Sequence, residues 1–232
     1  MNDNLNKNIF KNYNKETLTS YYKLFIMRLT HSNMSIEKDL GNVDDSKNAI
    51  RLRDNMKAFL YLEEELCKNS NITEDIITEV ASLINESSQY ISTDYRKTGN
   101  KLGETNIPIS EPSKIKSDME KLLFLYHNDW KQLDPFEREA LFNIEFLRIH
   151  PFEDGNGRTS RLILNYNLLK QGIAPVIITE EMTDYYFALR NNSDVISMKQ
   201  FFEEQSKKEK EIVKFLYNEI NDKLENKCSK KI

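Results

Sequence analysis

Residues His150 to Arg161 place a proton acceptor, a carboxylate, two glycines and two arginines in twelve consecutive positions: His-Pro-Phe-Glu-Asp-Gly-Asn-Gly-Arg-Thr-Ser-Arg. A histidine of ordinary pKa, about 6.5, has a neutral form near pH 7 that can take a proton from a hydroxyl. Asp154 offers a hard oxygen, and one carboxylate plus substrate phosphates is a common way to hold Mg²⁺. Gly155 and Gly157 let the backbone turn sharply and approach a ligand closely. Free N–H groups at the start of a following helix bind anions. Arg158 and Arg161 are three apart and share a helix face. In a first turn each cation is unfavourable by roughly 0.3–1 kcal/mol against the helix dipole. A polyphosphate reverses that sign, and arginine suits phosphate oxygens. The implied reaction is attack of a hydroxyl on phosphorus while His150 removes its proton.

Each part has an ordinary alternative. Asp-Gly-Asn-Gly alone is a turn with a helix cap, a histidine before proline is more often structural, and two arginines usually make a solvated face. Eight specified residues together, at roughly one in twenty each by average usage, do not coincide by chance.

The elements that must position these groups are helical. Phe136, Ala140, Leu141, Ile144 and Leu147 recur at helical spacing. Asp134 and Pro135 supply a start, and Pro151 supplies a stop. His150 therefore sits at the end of a helix with a buried face. A second helix is expected from Asn156 or Gly157 to about Lys170, with Leu162, Ile163, Tyr166 and Leu169 as its stripe and Gly172 near its end. Similar periodicity marks residues 15–30, 45–68, 73–90, 112–128, 180–191 and 197–226. The expected fold class is all-α, a helical bundle with a small β-hairpin flap. Gly99-Asn100-Lys101-Leu102-Gly103 would turn that hairpin, with Asn106 to Ile109 returning. Pro108 confines the return strand to an edge, where a target segment could add as a strand; a plain surface loop is the alternative.

The chain has 232 residues and a net charge of −4. Its length suits one core with helical additions. With no dominant basic patch, nucleic acid is not expected as a partner. Cys67 and Cys228 are too few and too far apart for a metal site or disulfide framework. No run approaches the ~20 apolar residues of a membrane span. Met1-Asn2-Asp3-Asn4 lacks an apolar signal region, so a cytoplasmic, bacterial-type chain is expected. His127 has no acidic or thiol company and reads as structural; His31 lies close to the 31–38 stretch considered below, with a capping role as the alternative. The last helix carries Phe202, Val213, Leu216, Ile220 and Leu224 among dense charge. Core packing is the favoured reading, and pairing with a second copy is the other, so a homo-oligomer stays open.

Residues 150–161 resemble the motif of Fic-domain proteins, H-x-F-x-(D/E)-G-N-G-R-x-x-R, at every specified position. Tyr95 to Gly103, followed by Pro112 and Met119, resembles that family's flap. Tyr185-Tyr186-x-Ala188-Leu189 resembles its helix over the nucleotide base. The resemblance covers roughly residues 90–205. It implies a Fic-type helical bundle and a protein adenylyltransferase moving AMP from ATP to a Ser, Thr or Tyr hydroxyl, with release of pyrophosphate. By that resemblance His150 is the base and Asp154 holds Mg²⁺ (or Mn²⁺). Gly155, Asn156 and Gly157 line the phosphate turn, Arg158 and Arg161 contact the outer phosphates, and Phe152 anchors the loop in the core. Tyr186 contacts the nucleotide, and Gly99, Asn100, Lys101 and Leu102 dock the target. A Doc-type relative with Lys at the position of Gly157 phosphorylates instead, so Gly157 favours AMP transfer.

Many members carry an inhibitory helix with (S/T)-x-x-x-E-(G/N). Ile36-Glu37 resembles its Ile-Glu pair, which would make Glu37 a brake on Arg161; a solvated helix-end charge is the alternative. Asn33 stands where Ser or Thr is usual, and Lys38 replaces the small residue. The expected organisation is an N-terminal segment at 1–45, a core at 46–205 and a C-terminal helix at 206–232, in one globular unit. Self-modification is compatible with this pattern. So are removal of AMP by the same site and a nucleotide-binding regulatory module with little turnover.

Overall fold

The computed structural model describes residues 13–36, 45–88, 94–99 and 107–229. Eight α-helices follow in order: α1 Lys15–Ile36, α2 Asp45–Cys67, α3 Glu74–Ile84, α4 Ile115–His127, α5 Pro135–Ile149, α6 Asn156–Lys170, α7 Thr183–Asn192 and α8 Val195–Ser229. Single 3₁₀ turns precede α4, α5 and α7. No strand occurs among the described residues. The expected hairpin falls mostly on 100–106, outside them, and 107–110 is irregular.

Helix boundaries follow local chemistry. At α3 the Thr73 hydroxyl accepts from the Ile76 N–H at 3.3 Å, with Glu74 and Asp75 at the positive end of the dipole. At α5 the Asp134 carboxylate accepts from the N–H groups of Phe136 and Glu137, and Pro135 is the first helical residue. Helix α1 runs to Ile36, past the expected end near residue 30, and α3 stops at Ile84 rather than near 90. Helix α8 is continuous across residues 205 and 206, where a C-terminal segment was expected to begin.

Helix α6 is the centre of the bundle. Nearly all of it is buried, polar residues included, and it packs on α5, α3 and α2. Its polar groups are consequently bonded. Asn165 donates to the Arg161 and Val176 carbonyls and accepts from the Val176 N–H. One core cluster runs through α1 to α6, and a second lies among α5, α6, α7 and the start of α8. Helix α8 packs on α5 and α1. Phe202 and Val213 are fully buried, as the core-packing reading requires. The join of α1 to α8 is partly ionic: Glu209, 2% exposed, accepts from Arg28 at 2.8 Å and Tyr21 at 3.2 Å. Among the described residues no helix is long and apolar enough to cross a membrane.

Candidate active site

His150 terminates α5 in the left-handed region, φ 51° and ψ 58°, with its N–H on the Phe146 carbonyl at 2.9 Å. Pro151 forbids another helical turn and sends the chain outward. Phe152 brings it back: its ring is 2% exposed, packed near Tyr95 and Phe146. The Asn156 side chain then closes the loop. Its Oδ1 accepts from the Phe152 N–H at 2.9 Å, and its Nδ2 donates to the Phe152 carbonyl at 2.7 Å. Only an amide can make both bonds. Asn156 was expected to line the phosphate turn; its side chain is the staple of the loop.

Gly155, at φ +80°, starts α6 with no side-chain cap. The first N–H groups of α6, at Asn156 and Gly157, therefore meet the loop without a capping side chain, and this is the anion-binding geometry the sequence implies. A Cβ at residue 155 would stand 2.8 Å from Asn85 Nδ2, so glycine is required by space as well as by φ. Asn85 itself, 4% exposed, donates to the Asp154 carbonyl at 3.0 Å and faces Arg158 at 3.5 Å. Nothing in the sequence pattern singles out Asn85.

Asp154 keeps its side chain half exposed while accepting from the Gly155 N–H at 2.6 Å and from Arg158 Nη2 at 3.0 Å. It borders a cleft of about 510 Å³ together with Arg158, Arg51, Arg53 and Asn85. Asp54 also lines the cleft, but it is spent on Arg53 at 3.1 Å and on the Ser87 N–H at 3.0 Å. Among the described residues no group of three His, Cys, Asp or Glu converges as a metal cage. A single half-exposed carboxylate beside an anion site fits Mg²⁺ shared with phosphates better than it fits an all-protein site.

The two motif arginines are buried rather than solvated, Arg158 at 5% and Arg161 at 2% exposure. Arg161 Nε donates to Asn33 Oδ1 at 2.7 Å, and its Nη2 reaches the Asn33 carbonyl at 3.4 Å. The last turns of α1 therefore lie against the second motif arginine. The Ser32 hydroxyl fixes them by bonding to the Ile178 carbonyl. Glu37 follows α1 directly in sequence and lies outside the described residues, as do Asn100, Lys101 and Leu102. Gly99 is described, and a Cβ there would meet nothing within 4 Å.

Tyr186 is placed differently from its expected role. It is 0% exposed, and its hydroxyl donates to Asn143 Oδ1 at 2.9 Å; Asn143 in turn donates to the Ser160 hydroxyl at 2.6 Å. The ring supports α5 and α6 from behind and shows no face to a ligand. Its neighbour Tyr185 is the exposed one, at 54%. His127 is structural, its Nε2 at 2.7 Å from the Ile72 carbonyl.

The Fic/DOC family model matches residues 63–168, a span that includes α3 to α5, the whole motif and most of α6. Residues 63–168, a little under half of the chain, are thus similar to a Fic domain. Protein adenylyltransferase fic-1 of Caenorhabditis elegans is 45% identical over 56 residues, 24% of this chain and 11% of that one. Protein adenylyltransferase Fic of Nematostella vectensis is 41% identical over 87 residues, 34% and 20% of the two chains. The chain thus aligns with a fifth or less of each of these relatives. In fold it is similar to a Fic-domain-containing signaling protein from Bacteroides thetaiotaomicron. The TM-score is 0.80 at 18% identity, over 93% of this chain and 98% of that one. The Fic fold therefore extends beyond the matched span to the helices on either side.

Proposed function

We propose that this chain transfers AMP from ATP to a Ser, Thr or Tyr hydroxyl of a protein. The observation that carries the reading is the motif loop itself. It fixes His150 at the end of α5, opens the N-terminus of α6, and leaves Asp154 half exposed on a cleft it shares with Arg158. The relatives' names, protein adenylyltransferase, agree with that chemistry.

In this reading the His150 imidazole takes the proton of the acceptor hydroxyl as its oxygen attacks the α-phosphorus. The bond from that phosphorus to the oxygen bridging the α- and β-phosphates breaks, and pyrophosphate leaves with the electron pair. The α6 N–H groups, Arg158 and Arg161 stabilise the charge developing on phosphate oxygens. Asp154 would hold Mg²⁺, which would supply positive charge against the phosphate oxygens. Glu37 is the proposed brake. Asn33, four residues before Glu37 in sequence, already occupies Arg161 at 2.7 Å, which brings the end of α1 to the arginine a γ-phosphate would need.

Incubation of the purified protein with ATP and Mg²⁺, read by intact mass and by AMP transfer to added protein, tests this. Glu37→Gly is expected to gain AMP-sized increments or label a target faster than wild type, and His150→Ala in the same background to bind ATP but transfer nothing. Transfer that survives His150→Ala would remove the base from the mechanism. A phosphate-sized increment would mean the nucleotide sits reversed.

A further inference from the structure

Arg96 is buried, 2% exposed, yet its bonds go almost entirely to backbone carbonyls at the edge of the site. Its Nε donates to the His150 carbonyl at 2.7 Å and its Nη1 to the Thr98 carbonyl at 2.8 Å. Its Nη2 donates to the Ser110 carbonyl and reaches the Ile149 carbonyl at 3.4 Å. Its own N–H donates to the Pro151 carbonyl at 2.8 Å. The carbonyls of Ile149 and His150 are among those a helix end leaves without partners, and a cation there also complements the dipole of α5.

These acceptors belong to three stretches of chain. Thr98 precedes the expected hairpin turn, Ser110 follows its return, and Ile149, His150 and Pro151 carry the base into the motif loop. Neighbouring bonds reinforce the same junction. The Ser110 N–H donates to the Arg148 carbonyl at 3.2 Å, the Thr98 hydroxyl donates to Glu153 at 2.9 Å, and the Tyr95 ring lies 5.8 Å from that of Phe152. A single planar guanidinium thus ties the flap roots, the described stretches 94–99 and 107–110, to the backbone of the base.

We infer that Arg96 is a positioning residue that holds the backbone of the His150 base against the flap roots, and so sets where the imidazole meets the acceptor hydroxyl. The inference rests on the adenylyltransferase reading. Proton transfer demands that base and hydroxyl meet within hydrogen-bond reach, and small misplacements are costly. Arg96 touches neither nucleotide nor acceptor; it acts through His150 and the flap roots. Charge alone does not suffice. A lysine keeps the cation, but its three donors radiate from one nitrogen and do not reproduce the planar fork whose Nε, Nη1 and Nη2 each meet a different carbonyl.

The test compares Arg96→Lys with the parent, both in the full chain carrying Glu37→Gly. Hydrogen exchange read by mass spectrometry reports the junction without needing activity. Exchange in 94–99, 107–110 and 150–156 is expected to accelerate together, by about tenfold or more, while α2, α6 and α8 keep their protection. In steady-state AMP transfer, kcat is expected to fall at least about thirtyfold, with KM for ATP and ATP affinity within about threefold. Acceleration confined to the flap roots, with 150–156 and kcat unchanged, would overturn the inference. So would a raised KM for ATP at constant kcat, or loss of protection throughout the chain, which would make Arg96 a residue of the fold at large. If the parent transfers no AMP but exchange follows the three-segment pattern, the clamp stands and the adenylyltransferase reading fails.

Discussion

Gly155→Ala should destabilise the protein by about 2–4 kcal/mol through two separable causes. The first is backbone. Residue 155 sits at φ +80°, and left-handed conformation costs an L-residue roughly 1–2 kcal/mol. The second is space. The added Cβ would lie 2.8 Å from Asn85 Nδ2, 3.2 Å from its Oδ1 and 3.3 Å from Ile84 Cγ2. Asn85 and Ile84 are both buried, so neither can swing into solvent. If Asn85 shifts, its bond to the Asp154 carbonyl at 3.0 Å is lost, a further cost of about 1 kcal/mol or more. In a chain of this size the sum corresponds to a fall in Tm of about 5–15 °C. A double-mutant cycle with Asn85→Ala separates the causes, because removing the Asn85 amide leaves mainly the backbone part. The coupling between the two substitutions should be about 1–2 kcal/mol, read from urea unfolding of wild type, both single variants and the double. Zero coupling would refute the steric argument. A neutral Gly155→Ala would refute both parts and mean that the loop can start α6 another way.

Two further substitutions probe buried polar groups. Glu139 is raised to about 7 by burial, against opposing hydrogen bonds from Tyr126 at 2.6 Å and Asn167 at 2.9 Å. A folded-state pKa above the unfolded value near 4.5 means the native state binds the proton more tightly. Stability should therefore decline as pH rises from about 4.5 to about 7, by about 3 kcal/mol in all, and change little above that from this group. Urea midpoints of wild type and Glu139→Gln at pH 5 and pH 8 check this; equal pH slopes in the two proteins would exclude Glu139 as the source. At Asn33, the isosteric Asn33→Asp places a carboxylate on Arg161 and should weaken ATP binding by about tenfold, whereas Asn33→Ala removes a bond to a charged group and should strengthen it. Calorimetric titration with ATP in the presence of Mg²⁺ decides it, and equal affinities in all three would show that Asn33 does not compete with phosphate.

What the sequence made legible was what lies close together along the chain. The motif is twelve residues with its chemistry inside it, and the Asp134-Pro135 start of α5 and the Pro151 stop are local signals. The buried faces of α5 and α8 followed largely from period, because burial of one stripe recurs at 3.6 residues; the expected stripe of α6 understates it, since that helix is buried on nearly every side. The misplaced boundaries share another cause. Residues 31–36, His-Ser-Asn-Met-Ser-Ile, have weak helix propensity and no clear apolar stripe. They are helical because distant groups hold them, Ile178 for Ser32 and Arg161 for Asn33. Glu139 and Asn167 sit in helices that read as amphipathic, and they are buried as partners that meet across 28 positions of sequence, with Tyr126 also bonded to Glu139.

The same reasoning explains why the residues that shape the site most were the ones left unread. Asn85 lies 69 positions from the carbonyl it holds, Arg96 54 from the His150 carbonyl, and Asn33 128 from Arg161. Asn33 and Arg96 fall in segments that resemble family motifs, but nothing in those patterns assigns them these partners, and nothing marks Asn85 at all. Burial settles the matter: at 4%, 2% and 0% exposure, such groups persist only where partners answer them. The motif supplies the atoms that meet phosphate, while these three residues hold Gly155, His150 and Arg161 in place. A chain that kept residues 150–161 intact but lost Asn85, Arg96 and Asn33 would keep every letter of the motif, yet nothing within the motif would restore those holds.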